Sequence, residues 1–453
     1  MKVKFVILLL FSFSFFLYGE NGDVVKYLPE QPSYIFYIES LKDSYKNFEN
    51  SYFWKKFKLS SQGKKFEESI NSISASFFVI GLTFNDLLDI FSGNTILALW
   101  ISNNAITDFI YILEFNEYIK EFLKRIEYFA IANKIDFKKY NYLSSEFLSF
   151  EEKVFIAKIE NYVIIGNNKF KIEKTASNIE NNITNLNFKF DKRFKKSDFV
   201  FWNNYDLNTL FNFKFNNNLK IDAFQSISNF NTNIISFKQL EFIPSEVDFV
   251  ATSQNLEKCN YTFLKIFESF DTNFINVDVN YFKTFIEKSK SLSFTDFFIG
   301  IDFKKSETNI IIVKKEKVTN FLNLTNIGNF YNQKIYNFNG EKLKYFTFID
   351  DFGLYSNDLT FLKEAIESYK KKKSFYFSPV MQKIKRSIEK KSIISFSFFD
   401  LNDYIIKKSF KYPEEKWIYY NAYIKSFKEV LLYTYKDNNE AHSLLLTFGL
   451  EKK

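Results

Sequence analysis

One cysteine, one histidine, two methionines, five prolines and eleven glycines in 453 residues leave little of the chemistry that a sequence can announce. Cys259 alone forms no internal disulfide. Within residues 256–264, whose spacing predicts a helix, it reads as a small core residue, and burial suits a lone thiol in an oxidising compartment. Any serine or cysteine nucleophile with an imidazole base must use His442, which stands on the last expected strand beside a turn and reads as an exposed strand-start residue. One cysteine and one histidine cannot build a zinc site. Eleven glycines include no loop with the spacing that cradles phosphate. After residue 18 no apolar, charge-free stretch approaches the roughly 20 residues that cross a bilayer, so no internal transmembrane helix is expected. The catalytic, cofactor-binding and metal-ligating sets are all expected to be empty.

What is present begins at the first residue. Lys2 and Lys4 precede an apolar run over residues 5–18, and Gly19 closes it before Glu20-Asn21-Gly22-Asp23. A positive start, a short apolar core and a small-residue exit predict a secretory signal peptide over residues 1–19, cleaved near Gly19. Leu17 departs from the small residue usual three positions before such a cut, which keeps an uncleaved anchor as the alternative. Glu20 stands where a lipoprotein carries its lipidated cysteine, so no lipid tether is expected. The expected location is the periplasm or the cell surface, away from ATP, cytosolic cofactors and nucleic acid.

Hydrophobic residues make up 46% of the chain, enough for true cores. The 61 phenylalanines and 28 tyrosines accompany abundant Asn, Lys and Ile, all encoded by AT-rich codons, so the aromatic excess reads as genome bias more than as a binding face. Net charge is +8, or +6 once Lys2 and Lys4 leave, spread along the length. This favours at most weak contact with an anionic membrane surface. Aromatics at core spacings argue against single-stranded nucleic acid as a partner.

The order of elements repeats. Leu28-Pro29, a polar turn and the strand Tyr34-Ile35-Phe36-Tyr37-Ile38 return as Ile243-Pro244, a turn and Asp248-Phe249-Val250-Ala251. Each leads toward a helix, over residues 41–57 and 256–270. A hairpin around Asn103-Asn104 and a helix over 117–133 answer a hairpin around residues 304–307 and a helical stretch from Glu316. A hairpin across Glu160-Asn161 with a helix over 169–181 answers one across Asp350-Asp351 with a helix over 359–372. Lys195-Lys196-Ser197, ending in Asp206-Leu207-Asn208, answers Lys390-Lys391-Ser392, ending in Asp400-Leu401-Asn402. Hairpins over 219–237 and 429–448 close the two copies, while residues 190–192 and 212–218 read as surface connections. The expectation is an α+β chain of two tandem homologous modules, 20–238 and 239–453. Each would be an antiparallel sheet of hairpins with amphipathic helices packed on one face. In the 117–133 helix, Ile119, Phe122, Leu123, Ile126, Phe129 and Ala130 form the apolar stripe. Thr83 and Asp86 form a capping box, with Gly93 just past that helix.

Carboxylate pairs are the remaining route to hydrolysis: Glu67-Glu68, Glu151-Glu152, Asp350-Asp351 and Glu414-Glu415. Turn positions and opposite-facing neighbours favour structural roles for them. Lys370 to Lys373 end a helix, where positive charge complements the dipole and could also meet anionic lipid.

Leu28-Pro29, Gly81-Leu82 before a short helix, Gly93 and the strand 96–100 together resemble an exported bacterial family known only as a domain of unknown function. The second copy departs by lacking the Gly-Leu segment. That resemblance implies an envelope protein without an established activity. The expected function is an exported, non-enzymatic binding or scaffold protein of the cell envelope. A carrier or chaperone for lipid or another apolar ligand is the alternative, with a carboxylate hydrolase behind it and an outer-membrane barrel last. The partner is unknown; an envelope protein or an apolar ligand at the cleft between modules are the open candidates.

Overall fold

The computed structural model describes residues 22–448 except 104, 187–196, 205–208, 216–218, 228–233, 253–296, 303–307, 315–323, 339–343, 389–390, 401–428 and 438–439. The leader, Cys259 with its expected helix, residues 190–192, Glu414-Glu415, and the ends Asp206-Leu207-Asn208 and Leu401-Asn402 lie outside the described residues. The chain divides into two compact units, with the main boundary between Ala223 and Phe224.

Unit 1 carries strands β1 (Tyr34–Ile38), β2 (Thr95–Ser102), β3 (Ala105–Glu114), β4 (Phe137–Tyr142), β5 (Ser145–Phe150), β6 (Val154–Ile159), β7 (Tyr162–Gly166), β8 (Phe199–Asn203), β9 (Thr209–Lys214) and the first half of β10 (Lys220–Ile227), whose residues from Phe224 on belong to unit 2. They lie side by side in the order 10-9-8-1-2-3-7-6-5-4. Its helices are α1 (Leu41–Asn50), α2 (Tyr52–Phe57), α3 (Ser61–Phe78), α4 (Phe84–Ile90), α5 (Glu117–Ala132) and α6 (Lys169–Glu180). Unit 2 carries β11 (Phe249–Thr252), β12 (Phe297–Asp302), β13 (Thr308–Lys314), β14 (Leu324–Phe330), β15 (Gln333–Phe338), β16 (Tyr345–Ile349), β17 (Phe352–Ser356), β18 (Ser392–Asp400), β19 (Glu429–Asp437) and β20 (Glu440–Phe448), with α7 (Leu359–Lys370) and α8 (Pro379–Ile388). Its order is 20-19-18-11-12-13-17-16-15-14. Neighbouring strands run antiparallel from β9 across to β4 and from β20 across to β14, so the α+β, antiparallel reading holds.

The expectation of helices on one face fails in unit 1. Residues 97 and 99 of β2, 109, 111 and 113 of β3, and 163 and 165 of β7 join a core that also holds Leu41, Ile73, Leu87 and Phe122 from α1, α3, α4 and α5. The alternate residues 96, 98 and 100, 110 and 112, and 164 join a second core with Val25, Leu28 and, from α6, Ile172, Ala176 and Ile179. Both faces of the sheet are buried at β2, β3 and β7. The sign was the unbroken apolar run in strands such as Ile96-Leu97-Ala98-Leu99-Trp100, which a one-sided antiparallel strand does not show.

Other expectations need smaller corrections. The helix over 41–57 is two helices, because the Ser51 hydroxyl accepts from Trp54 N–H at 3.0 Å and caps a new start. The stretch from Glu316 lies outside the described residues as far as 323, and from Leu324 it is strand: β14 and β15 form a hairpin, as β4 and β5 do in unit 1. In place of the hairpin over 219–237, β10 pairs back with β9, so residues 212–214 are strand and not connection. Residues 237–242 form a 3-10 turn, and Ile235 N–H donates to Ile393 O. The stripe on α5 faces its core as expected: Ile119, Phe122 and Ala130 are buried, and Leu123, Ile126 and Phe129 pack against them.

The capping box forms as the sequence predicts. Thr83 Oγ1 accepts from Asp86 N–H at 3.2 Å, and Thr83 N–H donates to Asp86 Oδ2 at 2.7 Å. Hydrogen bonds from the Thr83 hydroxyl and N–H hold the Asp86 carboxyl below the usual range. A depressed carboxyl pKa stabilises the fold above the unfolded value and loses that contribution as pH falls through the folded one. Thr83→Ala should therefore cost about 1 kcal/mol at neutral pH, and less in acid below about pH 4, in paired urea titrations.

Candidate functional site

The residues singled out from sequence are kept apart by the fold. Glu67 and Glu68 stand on α3, Glu151 and Glu152 form the β5–β6 turn, and Asp350 and Asp351 form the β16–β17 turn. Glu152 pairs with Lys138 at 2.8 Å and Glu151 with Lys153 at 3.3 Å. Asp350 Oδ2 accepts from the Tyr369 hydroxyl at 2.5 Å, and that bond, with burial, pushes the phenol up to about 12. Each of these three pairs sits in its own turn or helix. His442 is half-buried on β20 and not exposed: its ring stacks on Phe224 at 5.2 Å and leans on Tyr435 at 5.5 Å. Lys370 and Lys371 end α7 as expected.

Polar chemistry converges instead at the start of α6. The Asn168 side chain caps the helix by accepting from Lys171 N–H at 3.1 Å, and its amide donates to Asp108 Oδ1 at 3.0 Å. Asp108 lies directly across from Trp100 in the β2–β3 ladder. One turn into the helix, Lys171 is only 9% exposed. Its Nζ contacts Glu30 Oε1, lies 3.3 Å from Asp108 Oδ2, and stands 4.1 Å over the Trp100 ring. All three groups are partners for a positive charge. A lysine nucleophile needs the reverse, an apolar or cationic surrounding that frees the amine. The cluster therefore works as a clamp: it ties the Pro29-Glu30 step of the leading segment to the sheet and to α6. Further contacts hold the same segment, with Asn178 Nδ2 donating to Tyr27 O at 2.8 Å and the Tyr27 hydroxyl donating to Asn182 Oδ1 at 2.6 Å. Nearby, burial pushes the Tyr140 phenol well up. Sequence reading missed Lys171 because it sits among Lys169, Lys174 and other lysines that look alike in one dimension.

Unit 2 holds a row of carboxylates that the sequence also hid. Asp302 on β12, Asp248 just before β11, Asp400 on β18 and Glu429 on β19 stand at one level of four neighbouring strands. Asp248 N–H donates to Ile301 O at 3.0 Å, Asp400 N–H to Asp248 O at 2.7 Å, and Asp400 pairs with Glu429 in the ladder. Of these, Asp248, Asp302 and Glu429 are buried, exposed by 1%, 4% and 7%. Among the described residues no group of three or more His, Cys, Asp or Glu side chains is arranged to hold a metal ion. Among them too, no helix is long and apolar enough to cross a membrane.

No family model matches the chain, and neither a curated protein nor a solved structure is similar to it.

Proposed function

We propose that this chain is an exported, non-enzymatic protein of the cell envelope with a binding or scaffold role, built from two copies of one α+β module over residues 20–238 and 239–453. The observation that carries the duplication is the strand order, which runs through ten positions in the same sequence of pairings in each unit. Hydrogen bonds repeat with it. Ser33 N–H donates to Leu99 O as Asp248 N–H does to Ile301 O, and Asn204 N–H donates to Ser33 O as Asp400 N–H does to Asp248 O. These bonds align Asn204, in place of Asp206, with Asp400. With Ser197 aligned on Ser392, the second copy needs one residue more, and the β-bulge between Ile393 and Ser395 supplies it. The left-handed turn residues correspond as well, Glu160 with Asp350 and Asn182 with Lys372.

A binding or scaffold role fits a unit whose sheet is filled on both faces by its own helices. Contact then falls to the outer helix surfaces, where Phe78, Tyr128 and Phe170 stand 74%, 70% and 73% exposed. Native mass spectrometry of the protein purified gently from its own envelope tests the reading. A chain beginning at Glu20 with a protein-sized added mass is the expected result. A lipid-sized mass would replace scaffold by carrier, and a bare chain would leave only transient binding. A cytosolic chain still beginning at Met1 would overturn export.

A further inference from the structure

We propose that the α7–α8 corner of unit 2 is a docking surface for anionic phospholipid. From Ser368 to Ile388 the chain has no acidic residue and seven basic ones: Lys370 to Lys373, Lys383, Lys385 and Arg386. On a chain whose charges are otherwise well mixed, this is a local field of one sign. The fold places these residues on a rigid frame. Phe375, 1% exposed, anchors the connection from inside, and its N–H donates to Ile243 O at 2.7 Å. Three residues on, the Ser378 hydroxyl accepts from Met381 N–H at 3.1 Å and starts α8, which turns Met381, Ile384 and Ile388 inward. Gln382, Lys383 and Arg386 are left on its exposed side.

The same frame turns an aromatic outward. Between buried Phe375 and Ser378, Phe377 is 40% exposed, and beside it the Tyr376 ring lies 3.3 Å beneath Lys385 Nζ. An exposed ring amid lysines is the composition of an interfacial anchor, with the ring at headgroup depth and the cations on phosphate. Lys371 is already paired with Glu367. Lys370, Lys372, Lys373 and Arg386 make no ion pair among the described residues and remain for a partner.

The corresponding turn of unit 1 sharpens the case. There α6 ends in Glu180-Asn181-Asn182, where α7 ends in Lys370-Lys371-Lys372. Asn182 and Lys372 both adopt left-handed φ, +51° and +53°. Asparagine is suited to the left-handed conformation at that position, whereas lysine is not, although its charge complements the helix dipole. The basic end is thus particular to α7 and is not shared by the corresponding helix of unit 1. This comparison rests on the duplicated-module reading, and the docking itself rests on the envelope location.

The test is flotation of the naturally processed protein with vesicles of one part phosphatidylglycerol to two parts phosphatidylcholine, against pure phosphatidylcholine. At roughly fivefold in partitioning per basic residue at an anionic surface, K370Q/K372Q/K373Q/R386Q should bind the mixed vesicles at least tenfold more weakly. Phe377→Ser should also weaken binding, and added salt should abolish it. K64Q/K65Q/K124Q/K134Q in unit 1 removes the same charge elsewhere and should change binding less than twofold. Matching far-UV spectra and melting curves establish that both sets fold. Equal binding to both vesicle types, an equal loss from the unit 1 set, or binding to soluble polyglutamate with none to vesicles would each overturn the proposal. Intact mass of the same sample, beginning at Glu20 or at Met1, reports separately on export.

Discussion

Lys171→Ala should destabilise unit 1 by about 3 kcal/mol, near the lower end of what removing one member of a buried ion pair costs. The loss has two sources. Asp108, whose side chain is 21% exposed, would keep its charge beside the Trp100 ring with only the Asn168 amide as partner. The lysine stem would also leave a gap over that ring. Glu30, at 58% exposed, can return to water and adds little. Lys171→Met separates the terms: it restores the stem, leaves Asp108 uncompensated, and should recover only part of the loss. Adding Asp108→Asn should bring K171M/D108N within about 1 kcal/mol of the parent, since a buried pair replaced as a whole is often nearly neutral. Urea unfolding followed by tryptophan fluorescence reads all three, provided the transition of each unit is resolved. A Lys171→Ala cost below about 0.5 kcal/mol, the size of an exposed pair, would show that the ammonium is not held as the geometry has it.

The proposed sister unit makes that double variant plausible. Where α6 carries Lys171, α7 carries Phe361, 1% exposed in the core of unit 2. One position thus accepts either a clamped charge or a ring, and nothing in the sequence tells which lysine of Lys169, Lys171 and Lys174 is the buried one. Much else was legible. Polar two-residue turns at Glu160 and Asp350 marked their hairpins, and Thr83 with Asp86 marked a helix start, because turns and caps are decided by a few adjacent residues. The β4–β5 hairpin was not, because Phe137-Lys138-Lys139-Tyr140 lies at the end of the strand order with two exposed lysines and shows no alternation. The carboxylate row was invisible for a different reason. Asp248, Asp302, Asp400 and Glu429 are scattered through the chain and meet only when four strands are in register.

Gly63→Ala should cost about 3 kcal/mol, although alanine in place of a helical glycine ordinarily gains up to about 1. Gly63 is buried in the first turn of α3, where its N–H donates to the Ser60 hydroxyl at 3.0 Å. A Cβ there would fall inside the van der Waals envelope of the Phe57 carbonyl oxygen and 2.5 Å from Lys58 Cα. These are main-chain atoms, so no rotamer change relieves the overlap, and the end of α2 must move off α3. That movement is expensive because the close approach seats an aromatic lattice: Phe53 stacks on Phe57 at 5.2 Å, and Trp54 meets Phe66 edge-on at 5.5 Å and Phe48 at 4.7 Å. Overpacking of this kind costs about 1–3 kcal/mol, and more where backbone must yield. Ser69→Ala, on the exposed side of the same helix, should stay within about 0.5 kcal/mol of the parent. Trp54, 6% exposed, should report the opening as a red shift in emission and a loss of near-ultraviolet dichroism. A Gly63→Ala protein as stable as the parent, with Trp54 unmoved, would mean that α2 does not rest on α3. In a chain so poor in glycine, this one stands where the backbones of two helices approach too closely for any side chain.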